Sequence, residues 1–135
     1  MKVVSFILFV LLAMVGVLAL FTVGPILETK YFPVYSKFRI VRAEPVEGGV
    51  RIVARFTKYR NCDPQGYGWY VGELGLLRQV MTRPTPGATV HRPLGPQITS
   101  PIVVKELTMA DLPYLSAEMY HHCHPLWLTR SVIYP

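Results

Sequence analysis

Between Val3 and Leu27 the chain runs 25 residues without a charged side chain, VVSFILFVLLAMVGVLALFTVGPIL, and no other stretch compares with it. As a helix this segment would measure about 37 Å at 1.5 Å per residue, enough to cross a hydrocarbon core of about 30 Å with some tilt. In lipid a single segment must satisfy its own backbone donors and acceptors, so a helix is the conformation open to it. The chain of 135 residues thereby divides into a transmembrane anchor, residues 1–28, and a remainder sized for one small domain.

A cleaved signal peptide is the rival reading. Lys2 would serve as a minimal basic flank, and Val17-Leu18-Ala19 as a small-residue cleavage site. Signal-peptide apolar regions span about 7–15 residues, however, and this run continues through Leu20, Phe21, Val23 and Ile26, which favours an uncleaved signal-anchor. Orientation is contested within the sequence. Only Lys2 precedes the helix, while Lys30, Lys37, Arg39 and Arg42 follow it, and a literal positive-inside count would keep the domain in the cytoplasm. A helix that starts at the extreme N-terminus resembles an ordinary signal-anchor, and the two cysteines fit an oxidising compartment. Both considerations place the domain outside.

Residues 29–37 read as a juxtamembrane linker whose Tyr31, Phe32 and Tyr35 suit the lipid–water boundary; Phe32 or Tyr35 starting the domain core is the competing reading. From residue 38 the period becomes two. Phe38 and Ile40 alternate with Lys37 and Arg39, and Glu44 to Gly49 supplies a turn. Val50, Ile52, Ala54 and Phe56 then point one way and Arg51, Val53, Arg55, Thr57 and Tyr59 the other, which predicts a hairpin with an apolar inner face. Further strands are expected at Tyr67–Val71, at Leu74–Met81, within Ile98–Leu107, at Leu115–His124 and at Leu126–Ile133, with a short one at Thr89–Arg92. Cys62–Gly66 reads as a turn, and Met109–Pro113 as a turn or single helical turn. Pro84, Pro86, Pro93, Pro96 and Pro101 mark edge strands and long loops, because proline cannot donate to a ladder. Residues 38–135 are therefore expected to form a mainly β domain, a small antiparallel β-sandwich of immunoglobulin-like architecture behind one transmembrane helix.

Cys62 and Cys123 are the two cysteines, and an even count in a small exported domain implies one disulfide. Closing a loop of this length is worth about 4 kcal/mol on the chain-entropy model. Trp69 follows Cys62 as a tryptophan follows the first cysteine of an immunoglobulin domain, although at short spacing, and His121 stands where that pattern has a tyrosine. Two free thiols in a cytoplasmic domain are the alternative.

The segment from Tyr120 to Trp127 is the one chemically dense stretch. On a strand, His122 and His124 would share a face and could take Cu(II) or Zn(II), with His91, Met109 or Met119 as a third ligand. A second ligand cluster at metal-site spacing is absent, so the leading expectation is no metal and no cofactor. Ser100, Ser116 and Ser131 lack a nucleophile-elbow context, the carboxylates are scattered, and Gly66, Gly68, Gly72 and Gly75 do not form a phosphate loop between strand and helix. These absences argue against an enzyme. From residue 29 onward 13 Lys and Arg stand against 7 Asp and Glu, a net charge of +6. The basic outer face of the hairpin, Arg39, Arg51 and Arg55 with Tyr59, is the candidate partner-binding surface, suited to anionic head groups or other acidic surface polymers, with solubility as the competing reading of the net charge; no nucleic-acid partner is expected.

The apolar helix, the VxGGVRIxARFxKxRxC hairpin from Val46 to Cys62, the Trp69-Tyr70 pair and the HxCHPLW segment from His121 to Trp127 together resemble small uncharacterised membrane-anchored proteins of tailed phages and prophages. That resemblance covers most of the exported part. It implies a mobile-element origin and a membrane location in a bacterial host, and it transfers no site residue; with the outward orientation read above, the domain is expected in the periplasm at the inner membrane. The function expected is a non-enzymatic, membrane-tethered interaction module whose partner is an envelope protein, a phage protein or anionic lipid. A periplasmic Cu/Zn-binding protein using His122, His124 and His91 is the alternative.

Overall fold

The computed structural model describes residues 2–73, 76–84 and 91–135. Its first element, α1 (Lys2–Tyr31), is apolar on every side, and none of its most apolar stretch is buried in the domain. It is long and apolar enough to cross a membrane. The helix continues through Pro25, whose ring nitrogen has no hydrogen to donate back along the helix.

The strands follow as β1 (Arg39–Val46), β2 (Gly49–Lys58), β3 (Asp63–Val71), β4 (Arg78–Val80), β5 (Thr82–Pro84), β6 (Gly95–Ile98), β7 (Ile102–Lys105), β8 (Leu115–His122) and β9 (Thr129–Tyr134). A 3₁₀ helix, Met109–Tyr114, leads into β8. All pairings are antiparallel. One sheet has the order β1-β2-β7-β5, with β6 also on β2; the other has the order β4-β3-β8-β9. The chain passes from one sheet to the other at Met81, between β4 and β5.

Strand β2 shows why the sheets face each other. Val50, Ile52 and Ala54 are each 1% exposed and Phe56 is buried, whereas Arg51 and Arg55 between them are exposed. The buried set meets Trp69, Val71 and Val80 from β3 and β4 and Leu115, Ala117 and Ile133 from β8 and β9 in one core. Phe56 stacks on Phe38 at 4.5 Å between ring centroids and meets Tyr35 edge-on at 5.3 Å. Gly48 closes the β1–β2 hairpin at φ +79°, a left-handed conformation that a side chain would resist.

β6 and β7 run along the same edge of β2, Ile98 opposite Arg55 and Ile102 opposite Ile52. Thr99 bridges the gap between them. Its Oγ1 accepts from the Ala54 N–H at 2.9 Å, and its own N–H donates to the Ala54 carbonyl at 2.8 Å. A side chain thus takes over the ladder next to Pro101, which has no N–H to offer.

Several elements differ from the pattern read in the sequence. β3 begins at Asp63, inside the expected turn, and absorbs it with a register shift between Pro64 and Gly66. The strand expected at Leu74–Met81 is confined to Arg78–Val80, with Leu74 and Gly75 outside the described residues. Of the short strand at Thr89–Arg92, Thr89 and Val90 lie outside them too, and His91 and Arg92 are not in a strand. The stretch 29–37 is not free chain. α1 runs through Tyr31, Val34 is fully buried, and Tyr35 pairs with Lys58 in an isolated bridge. Main-chain bonds from Ser36 to the Thr57 carbonyl and from Tyr59 to the Val34 carbonyl fasten it to the end of β2.

Candidate functional site

Where α1 meets the domain, Glu28 is the organising residue. The last helical turns bring it under the loops at one end of both sheets, where it is 8% exposed. Arg60, in the loop after β2, donates from Nη1 to Glu28 Oε1 at 2.8 Å. Three groups near the C-terminus converge on Oε2: Trp127 Nε1 at 2.8 Å, Thr129 Oγ1 at 2.8 Å and His124 Nε2 at 3.0 Å. An ionised carboxylate offers about four lone-pair sites, so this one is saturated. Arg60 Nη1 also donates to the Phe32 carbonyl at 2.8 Å, just past the helix C-terminus, where a cation also complements the helix dipole. Thr29 Oγ1 donates to the Arg130 carbonyl at 2.8 Å. The C-terminal end of the helix is therefore bolted to the domain by charge-assisted bonds to the loop after β2 and to the segment leading into β9.

The histidines separate. β8 ends at His122, which is exposed, and the chain then bends so that His124 turns down to Glu28. The Leu126 N–H donates to His124 Nδ1 at 3.2 Å, which leaves Nε2 to donate to Glu28. Both nitrogens are thus engaged. The shared strand face expected for His122 and His124 does not form, and His91 is exposed on a separate loop. Among the described residues no three His, Cys, Asp or Glu side chains are grouped to hold a metal ion.

His121, read in the sequence only as a substitute for a tyrosine, is fully buried. Its ring lies 5.1 Å from that of Tyr35, and neither nitrogen has a hydrogen-bond partner among the described residues. Burial, with a smaller contribution from the Lys58 charge, pulls its pKa down to about 4. Burial likewise pushes the Tyr35 hydroxyl up.

Cys62 and Cys123 form a disulfide with 4.6 Å between Cα atoms. Cys62 immediately precedes β3 and Cys123 immediately follows β8, one step beyond the Asp63–His122 pair. The bond therefore joins two neighbouring strands of one sheet at their end, whereas the immunoglobulin staple suggested by the cysteine–tryptophan pattern crosses between sheets.

The hairpin arginines do lie on one surface. Arg39 of β1 sits directly opposite Arg55 of β2, and Ile98 of β6 flanks Arg55 on its other side. Four residues along β2, Arg51 sits between Glu44 and Val103. All three arginines are exposed, as are Val41 at 52% and Ile98 at 53%. Arg42 pairs loosely with Glu44 at 3.5 Å, but Arg39, Arg51 and Arg55 have no carboxylate partner among the described residues. Tyr59 follows just past the end of β2 and is 54% exposed. No protein-family model, curated protein or solved structure matches the chain.

Proposed function

We propose that this chain is a non-enzymatic binding module held at a bacterial inner membrane by α1, with its domain in the periplasm and its basic β1–β2 face as the partner surface. The observation that carries the reading is the Arg39–Arg55 pair. Like charges directly opposite each other on an antiparallel pair are about 4.5–5.5 Å apart at Cβ and destabilise the sheet. Arg51, opposite Glu44, extends the same basic face, and exposed Val41 and Ile98 lie among the arginines. An acidic partner offsets that repulsion when it binds. We take an acidic segment of an envelope or phage protein as the partner, with anionic lipid as the other source of negative charge.

The disulfide supports the outward orientation, since such bonds persist in oxidising compartments. We read the two sheets as an immunoglobulin-like sandwich. The order β1-β2-β7-β5 parallels one immunoglobulin layer, β4-β3-β8-β9 parallels the other with an extra edge strand, and buried Trp69 occupies the third strand. The resemblance to small phage-encoded membrane proteins makes a role in the infected host the setting we favour.

Affinity capture from host membranes with the full-length chain tests this reading, compared with an Arg51→Glu/Arg55→Glu variant. An envelope or phage protein retained by the wild type and lost by the variant supports it. Equal retention by both removes the basic face from consideration, and charge-dependent binding to anionic vesicles alone would assign the face to lipid.

A further inference from the structure

We propose that the loop Pro125–Leu128 lies in the head-group layer of the bilayer, a second lipid contact beside the helix. The proposal rests on α1 spanning the membrane and is independent of the basic face.

Trp127 sets the height of the loop. From its bond to Glu28 the indole extends along α1 toward the N-terminus, its ring centroid 6.1 Å from that of Phe21 in an edge-on contact. It lies so close to the helix backbone that a Cβ built on Gly24 would fall 2.6 Å from its Cη2. Glycine at this position lets the ring reach the helix.

The same stretch of helix marks the edge of the membrane. Counted from Lys2, the only charged residue before Glu28, a hydrocarbon core of about 30 Å consumes about 20 helical residues and ends near Thr22. Gly24 then stands about 3 Å beyond that boundary and Glu28 about 9 Å beyond it. Trp127, spanning Phe21 to Glu28, occupies the interfacial layer, with its apolar ring toward the lipid and its N–H bound to a carboxylate. That division of an indole between apolar and polar surroundings suits the membrane interface.

Leu126 and Leu128 flank it, 53% and 47% exposed, and Pro125 is exposed as well. Through Trp127 and its contact with Phe21, these side chains continue the apolar surface of α1. Continuity with that surface selects lipid as what covers the loop.

The test uses the full-length chain in proteoliposomes containing spin-labelled lipid, with an environment-sensitive fluorophore on a cysteine introduced at one position at a time and the native disulfide left oxidised. Leu126→Cys and Leu128→Cys report on the loop, and both positions lie outside the core. Met14→Cys reports on the middle of the span, and Leu76→Cys, beyond the opposite end of β3, on the aqueous phase. Loop probes quenched several-fold more than Leu76→Cys, and most strongly by labels near the head groups, are the expected result. Loop probes as unquenched as Leu76→Cys while Met14→Cys is quenched would overturn the loop contact alone. An unquenched Met14→Cys would remove the span and the proposal with it.

Discussion

The indole nitrogen of Trp127 donates to a carboxylate oxygen of Glu28 across 2.8 Å, although the two residues stand 99 positions apart in the sequence. One belongs to α1 and the other to the loop before the last strand. Their bond makes the helix terminus part of the domain, because Thr129, His124 and Arg60 complete the same cluster.

Removing the carboxylate should therefore loosen the domain itself. Glu28→Ala strips Arg60, Trp127, His124 and Thr129 of a shared acceptor and should cost about 3–5 kcal/mol, the range for breaking a buried charge pair by deleting one partner. Glu28→Gln keeps one acceptor oxygen and should lose less. Urea unfolding of the full chain in detergent micelles measures both. A Glu28→Ala midpoint equal to that of the wild type would show that the cluster contributes nothing.

The disulfide joins adjacent strands and closes a separation of 61 residues. Cys62→Ser and Cys123→Ser should each cost about 2–5 kcal/mol, and the double variant no more than either single one, since each substitution deletes the same bond. Denaturant melts under non-reducing conditions provide the comparison. Additive losses would mean that the two side chains act separately.

His121 predicts a loss of stability in acid. Its pKa falls from 6.5 to about 4 in the fold, so below about pH 6.5 the unfolded chain takes up a proton that the folded chain refuses. The neutral ring has no such effect above about pH 7. Stability should drop by about 2 kcal/mol between about pH 7 and about pH 4.5, with the loss levelling off below the folded pKa. His121→Leu, an apolar side chain in a fully buried site, should lack this component. The check is the difference between wild-type and variant unfolding free energies across that range, and parallel curves would exclude His121 as the cause.

How much of this was legible in the sequence depends on how far apart the interacting residues lie. Helix α1 follows from the missing charges between Val3 and Leu27, and β2 from the alternation of Val50, Ile52, Ala54 and Phe56 with Arg51 and Arg55; both signals are local. Two cysteines sufficed to suggest a disulfide, but not that it would lie within one sheet. Glu28 was legible only as the boundary of the apolar run, because its partners lie 32, 96, 99 and 101 positions away. A lone carboxylate directly after the apolar run, with a Trp-x-Thr pair near the chain end, is the signal that could have found it. The aromatics of 29–37 suggested lipid, yet the core took Tyr35 and left Tyr31 and Phe32 exposed. The His122–His124 reading assumed that the strand continued, and the bend after His122 removed that geometry.

The seating of Val34 and Tyr35 in the core leaves no slack between α1 and the domain. A flexible tether would let the domain sample every direction, so that its encounters would depend on reach. This molecule behaves instead as a post and a sign. With α1 in a bilayer, as proposed, whatever angle the bilayer imposed on the helix, through its thickness or through crowding by neighbouring helices, would be passed directly to the sheets above. The direction in which Arg39 and Arg55 look would then be set by the physical state of the lipid.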